Sequence, residues 1–198
     1  MITFKKISLF FVFILSNIIV HTIDRGERDI LIEVKGSLFV PTNHTFREVY
    51  ANCGDFGLEL TGKLFDQLYA FTSADFIAKH GTTKELVSFT QINILNLGLG
   101  LKYFIPFAYG DFYMGLGIQP ASIQIKNQQP LLLEQSAWVC GGVAKSGVIL
   151  DLSDSFFADL FFDYSFAKAD FYQGSPVYVN TSHFDGCVFG IGIGYRFN

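Results

Sequence analysis

The chain has 198 residues, is 50% hydrophobic and 17% aromatic, carries charge on only 16% of its positions, and has a formal net charge of −4. That length suits a single domain, and an acidic balance disfavours nucleic acid as a partner. Beyond the first segment no apolar run reaches 18 residues, which disfavours a bundle of membrane helices.

The first segment, "MITFKKISLFFVFILSNIIVHT", places Lys5 and Lys6 before an apolar run from Ile7 to Leu15 that resumes at Ile18 to Val20. It reads as a secretory signal peptide over 1–22, the alternative being an uncleaved anchor helix. No cysteine stands near its end, which argues against a lipoprotein. A short segment, 23–28, then leads into one domain over 29–198. With the leader removed the net charge becomes about −6, and what remains fits about eight strands and is too small for a porin.

Along that domain, apolar and polar residues alternate with the period of two that marks a strand with two different faces. Asp29 to Val40 sets Ile30, Ile32, Val34, Leu38 and Val40 against Glu33, Lys35 and Ser37. Gly54 to Phe65 sets Phe56, Leu58, Leu60 and Leu64 against Asp55, Gly57, Glu59, Thr61 and Lys63. Leu68 to Lys79 is a third strand whose parity is blurred. Leu86 to Ile105 is long and reads as changing parity near Ile94 and Leu95, as a bulge would cause. Beyond that point Leu97, Leu99, Leu101 and Tyr103 oppose Asn96, Gly98, Gly100 and Lys102.

The fifth run, Asp111 to Lys126, sets Phe112, Met114, Leu116 and Ile118 against Gly115, Gly117 and Gln119, with a second shift expected at Pro120. The sixth, Trp138 to Leu152, carries Lys145 on the face of Gly141, Gly147 and Asp151. The seventh, Phe156 to Phe171, has Leu160, Phe162, Tyr164 and Phe166 opposite Asp159, Asp163 and Ser165. The eighth is "GCVFGIGIGYRFN", with Cys187, Phe189, Ile191, Ile193, Tyr195 and Phe197 on one face and Val188, three glycines and Arg196 on the other. An outward row of Phe, Ile and Tyr is wrong for water and right for hydrocarbon, where only a closed barrel satisfies every backbone group. A soluble calyx would want charge on its outer face.

The connections support the same reading. In chain order they are long (41–53), very short (66–67), medium (80–85), short (106–110), long (127–137), very short (153–155) and long (172–183). Membrane barrels alternate short periplasmic turns with longer extracellular loops in this way. The expected fold is therefore all-β, an eight-stranded antiparallel up-and-down transmembrane β-barrel, with the odd-numbered connections outside.

With these strands in place the chain resembles the bacterial eight-stranded outer-membrane barrels, the OmpA transmembrane domain and its OmpX and OmpW relatives. The likeness rests on the whole-chain architecture, on "LGLGLKYFIP" (Leu97 to Pro106), and on the last strand. In that family the last strand ends in alternating aromatics that the barrel-assembly machinery reads. Tyr195 and Phe197 would supply this insertion signal, although Asn198 displaces the terminal aromatic by one residue. The resemblance implies residence in the bacterial outer membrane, with the lipid bilayer as a partner. No peptidoglycan-binding sequence follows the last strand, so a stand-alone OmpX-like barrel is the nearer picture.

Assigning the polar faces inward gives a lumen charge network of Glu33, Lys35, Glu59, Lys63, Lys102, Lys145, Asp159, Asp163 and Arg196. Its two signs are close to balance. An eight-stranded barrel is filled by its own side chains, so such charges must pair or hold water. A salt-bridged plug is expected, with the strand glycines making room for long Lys and Arg chains. The function that follows is a structural or surface-interaction (adhesion-type) protein acting through its loops. The alternative is a narrow, gated, porin-like channel for ions or small solutes.

Enzyme chemistry is not expected. His44, His80 and His183 fall in loops, and Ser182, His183 and Asp185 are adjacent in sequence, whereas a catalytic triad is a spatial arrangement. The histidine spacing fits no metal site, and no cofactor is implied. The three cysteines, Cys53, Cys140 and Cys187, read as isolated thiols or at most one disulfide. The loops point to contact: Leu131, Leu132 and Leu133 lie within 127–137, and Val177, Tyr178 and Val179 within 172–183, so a host or surface ligand would meet the protein there. Thr45 to Cys53 is expected to make one helical turn over the mouth. Asn43 and Asn180 sit in N-x-S/T triplets that carry no meaning without a glycosylation route.

Overall fold

The computed structural model describes residues 30–44, 47–48, 51–82, 89–127, 135–172 and 179–197. Its strands are β1 (Ile30–Pro41), β2 (Cys53–Phe65), β3 (Leu68–Thr82), β4 (Phe89–Phe107), β5 (Gly110–Asn127), β6 (Gln135–Asp151), β7 (Phe156–Phe166), β8 (Lys168–Tyr172), β9 (Val179–His183) and β10 (Gly186–Phe197). Eight of them close a barrel in the order β1-β10-β7-β6-β5-β4-β3-β2, and β8 and β9 pair separately as a hairpin. All pairs are antiparallel, and the seam between first and last barrel strands runs unbroken from Ile30 opposite Phe197 to Pro41 opposite Gly186. Closure leaves the barrel no free edge. The expected leader and the segment 23–28 lie outside the described residues.

Period-two alternation decides which side chains point in. Leu31, Glu33, Lys35 and Phe39 are buried on β1, while Ile32 and Val34 are exposed. On β5, Tyr113, Gln119, Ala121 and Ile123 are buried, while Met114, Leu116 and Ile118 stand out at 57–72% exposure. Phe56, Leu58, Leu101, Leu160, Phe162, Phe189, Ile191 and Ile193 extend this apolar outer band around the barrel. A band of that size is solvated by hydrocarbon and not by water.

Connections 42–52, 83–88, 128–134 and the β8–β9 excursion (167–185) leave from one end, and 66–67, 108–109 and 152–155 from the other. At the short-turn end aromatic rings meet edge to face: Phe156 with Tyr195 at 5.1 Å and Tyr195 with Phe197 at 4.6 Å between centroids. Asp66 takes a positive φ of 43° in the tight turn after β2, beside a register shift between Lys63 and Phe65. Within 42–52, the Arg47 N–H donates to the Asn43 carbonyl and the Ala51 N–H to the Arg47 carbonyl, both at 3.0 Å, which is helical bonding where a turn was expected.

Three expectations are corrected. The β3–β4 register is continuous from Leu68 opposite Tyr103 to Thr82 opposite Phe89, so β4 has no parity change. Ile92 and Ile94 are buried on the same inward parity as Gly98 and Lys102, because the lumen itself turns apolar towards the long-connection end. Pro120 causes no shift either. The β4–β5 ladder skips Leu97 and Gly98, which face Pro120 and Gln119 respectively where one N–H is missing, and resumes in the same register. Finally, the expected seventh strand is two: β7 stops at Phe166 and the chain leaves the barrel as β8. The neck of that hairpin is closed by the Ala167 N–H donating to Asp185 Oδ1 at 3.0 Å and the Phe184 N–H donating to the Ala167 carbonyl at 2.8 Å.

Candidate functional site

The centre of the lumen is a cluster of buried charges. The pairing of β1 with β2 puts Glu33 directly opposite Glu59, an arrangement of like charges that is destabilising by itself. Lysines from three other positions answer it. Lys35 Nζ is 3.0 Å from Glu59 Oε2, 3.6 Å from Glu33 and 3.9 Å from Asp159. Lys145 Nζ is 3.1 Å from Glu59 Oε2 and 2.9 Å from Asp163 Oδ2, and Lys102 donates to Glu59 Oε1. Glu59, 2% exposed, thus receives three ammonium groups from β1, β4 and β6 and ties the walls together.

Aromatic rings pack against the cluster. Lys35 lies over Phe161 at 4.5 Å, Lys102 over Tyr113 at 4.0 Å, and Lys145 over Phe71 at 5.2 Å, so each ammonium faces a ring as well as a carboxylate. The Tyr113 hydroxyl donates to Asp159 Oδ2 at 2.8 Å. Towards the short turns Tyr69, Phe104 and Tyr113 stack with centroids 4.3 and 5.6 Å apart and fill the lumen. The inward glycines serve these rings more than the long basic chains: Phe71 covers Gly98, Gly100 and Gly117, Tyr113 covers Gly147, and Phe157 covers Gly194. Gly115 against Lys102 is the one case of the expected kind among the lysines.

Of the nine charges expected in the lumen, Glu33, Lys35, Glu59, Lys102, Lys145, Asp159 and Asp163 meet in this cluster. Arg196 does not. It binds Asp111 at 3.1 Å and Asp151 at 3.5 Å near the short turns, a separate trio that bridges β10, β5 and β6. Lys63 sits near the same end, half-buried and opposite Tyr69. Tyr195 and Phe197 face outward.

Two carboxylates of the central lumen stood outside the expected charge network. Asp55 and Asp75 lie on the long-connection side of the cluster, diagonal to each other on β2 and β3, since Asp55 faces Ile77 and Asp75 faces Gly57. Asp55 was legible on the polar face of its strand. Asp75 was hidden by an inner face of β3 as apolar as the outer one. Near-balance is therefore corrected: in the central lumen three lysines meet six carboxylates, Glu33, Asp55, Glu59, Asp75, Asp159 and Asp163.

In the outer rim, His44 and His80 are exposed, with His44 Nδ1 3.6 Å from Glu48. Asp185 spends Oδ1 on the Ala167 N–H, and its carbonyl accepts from Thr42. No disulfide forms: Cys53 faces in, and Cys140 and Cys187 face out. Leu131, Leu132, Leu133, Val177 and Tyr178 lie outside the described residues.

No protein-family model matches the sequence, and none of the curated proteins matches it. Solved structures do match in fold. The outer membrane protein OprG from Pseudomonas aeruginosa is similar at a TM-score of 0.62 and 17% identity, covering 86% of this chain and 96% of that one. Outer membrane protein W of E. coli is similar at a TM-score of 0.56 and 19% identity, covering 87% and 100%. Ail, the attachment invasion locus protein of Yersinia pestis, solved with the heparin analogue sucrose octasulfate, is similar at a TM-score of 0.55 and 13% identity, covering 86% and 97%. The chain has the closed eight-stranded fold of these outer-membrane barrels.

Proposed function

We propose that this protein is a bacterial outer-membrane barrel with a closed lumen, acting at the cell surface through its outer rim and not by passing solutes. The observation that carries the reading is Glu59, bound by Lys35, Lys102 and Lys145 across the lumen above a stack of aromatic rings. An ion crossing that layer would have to displace paired, desolvated charges, which costs several kcal/mol per group. The apolar outer band and its aromatic rim at the short turns favour a membrane setting with those turns in the periplasm. Connections 127–137 and 172–183, the latter carried on the β8–β9 hairpin, are then the contact surface for a host or surface ligand, and no residue is assigned a catalytic role. Tyr195 and Phe197 are read by the barrel-assembly machinery.

Planar-bilayer recording tests the closed lumen. The expected result is no steady current from the unmodified protein, and a steady conductance would overturn the reading. The second reading, a narrow gated channel, is favoured by a cavity that reaches Lys35 and Asp163 from the outer end. It requires current to appear without mutation under voltage or ligand.

A further inference from the structure

The geometry points to a symmetric dimer of this chain in the membrane, docked through the lipid-facing side of β5 and β6. This goes beyond the closed lumen and needs only that the apolar outer band face lipid. The wall there carries a ridge beside a hollow. On β5, Met114 and Leu116 are 68% and 72% exposed, more than any other outward apolar side chain of the described barrel strands. On β6 the outward positions hold Gly142, Ala144, Ser146 and Val148. The registers set Met114, Ser146 and Phe162 side by side on β5, β6 and β7, and likewise Phe112, Val148 and Leu160. Small residues between large ones leave a hollow of about 770 Å³ open to the lipid, floored by Ser146, Gly147 and Val148. Phe166 lies over Gly142 and closes it towards the outer end. The Ser146 hydroxyl donates to the Phe162 carbonyl at 2.8 Å, so the floor is satisfied within its own wall and asks for shape, not for a polar ligand.

Ridge and hollow are neighbours at one level, which makes the face complementary to itself. A two-fold axis along the membrane normal keeps each residue at its own depth and exchanges left for right. An axis between β5 and β6 therefore lays the ridge of each copy into the hollow of the other. Met114 of one copy then meets Ser146 of the second at nearly the same depth, because the two are cross-strand partners within one wall. Apolar exposure alone drives nothing in hydrocarbon, where a lipid tail solvates Leu as well as another Leu does, so packing decides. A lipid tail loses conformers in following such a hollow, whereas the Met114 thioether adapts to an irregular gap. Phe112, Met114, Leu116, Ile118, Leu160 and Phe162 are each half or more exposed. Covering them in both copies removes on the order of 1,000 Å² from lipid, the size at which specific interfaces begin. A single acyl chain would fill the hollow but leave the ridge beside it unused.

The test counts photobleaching steps of the full mature barrel, labelled at its amino terminus, in phosphatidylcholine vesicles over a series of protein-to-lipid ratios. Pairs that dissociate on dilution are expected. Ser146→Phe fills the hollow and Met114→Ala removes the ridge, and each should weaken pairing roughly tenfold. Ile32→Phe, on the opposite wall at β1, should leave it unchanged. Heat-dependent gel migration shows that each variant still forms its barrel. In a background of Cys140→Ser with Cys187→Ser, mixing Met114→Cys copies with Ser146→Cys copies should give a mixed disulfide-linked dimer on oxidation, and replacing the first by Ile32→Cys copies should not. Single steps at every ratio overturn the proposal, as does unchanged pairing in both Ser146→Phe and Met114→Ala, or an equal loss in Ile32→Phe. A monomer that retains a lipid which Ser146→Phe releases gives the hollow to an acyl chain and also overturns it. Current in a planar bilayer bears on the lumen alone, so the two readings fail separately.

Discussion

Lys145 Nζ lies 2.9 Å from Asp163 Oδ2, and the two residues face each other directly across the β6–β7 pair. The same ammonium is 3.1 Å from Glu59 on the far wall, so the local pair is one arm of a cross-barrel clamp. With cations outnumbered, each lysine matters more than each carboxylate other than Glu59.

A ranking of stabilities follows for urea unfolding in detergent micelles. Glu59→Gln takes from Lys102 its carboxylate and leaves Lys35 and Lys145 with only their weaker or single remaining partners, and should cost about 3–5 kcal/mol. Lys145→Met should cost nearly as much, since it leaves Asp163 without its ammonium. Asp163→Ala should cost clearly less than either, because Lys145 keeps Glu59. If Asp163→Ala proves the most damaging of the three, Glu59 is not the centre of the clamp.

Asp55 and Asp75 should behave in the opposite sense. They add negative charge to a cluster already short of cations, and replacing either by Asn keeps the shape and removes the repulsion. Asp55→Asn and Asp75→Asn are each expected to hold or raise stability, by up to about 1 kcal/mol. A loss greater than that in both would show that these carboxylates are neutralised by a partner within the folded barrel.

Much of this was readable from alternation alone. The β6–β7 register was fixed by the tight turn around Ser153, which makes Lys145 and Asp163 neighbours on the inward parity. What alternation could not provide was the axial change in the lumen. Ile92 and Ile94 point inward because the outer half of the lumen is apolar, so equating polar with inward produced a parity change that β4 does not have. Asp75 was lost for the related reason that Ala70, Thr72, Ala74 and Ala78 leave Leu68 and Phe76 as the bulky residues of the outer face of β3, while Tyr69, Phe71 and Ile77 make the inner face just as apolar. The β8–β9 hairpin was absorbed into β7 because Ala167, where the chain departs, breaks no local rule. Its departure is enforced at long range by Asp185.

Orientation can be read by protease accessibility on intact cells. Cuts are expected within 127–137 or 172–183, with 66–67 and 152–155 spared. Folded and boiled samples should also migrate differently on a gel, because a closed ladder resists SDS until heated. Cleavage confined to the short turns would turn the barrel over and put the acidic cavity on the periplasmic side.

Two glycines offer the sharpest contrast between the faces of the wall. Gly36 points outward on β1 with nothing within 4 Å of where a Cβ would stand. Gly36→Ala adds a methyl to the lipid face and narrows the unfolded chain's freedom, so it should stabilise the barrel by about 0.5–1 kcal/mol. Gly100 points inward on β4, where a Cβ would lie 2.5 Å from Gly117 Cα and 2.8 Å from Phe71 Cε1. The first of these is backbone in the neighbouring strand and cannot swing away, and the second is a fully buried ring beneath Lys145. Gly100→Ala should therefore cost about 1–3 kcal/mol or more, by prising β4 from β5 and tilting Phe71 off the cluster. Replacing Phe71 by Leu in the same background should recover only part of that loss, since the backbone contact remains. Full recovery would mean that the ring alone requires the glycine, and that the two strands can part without disturbing the clamp.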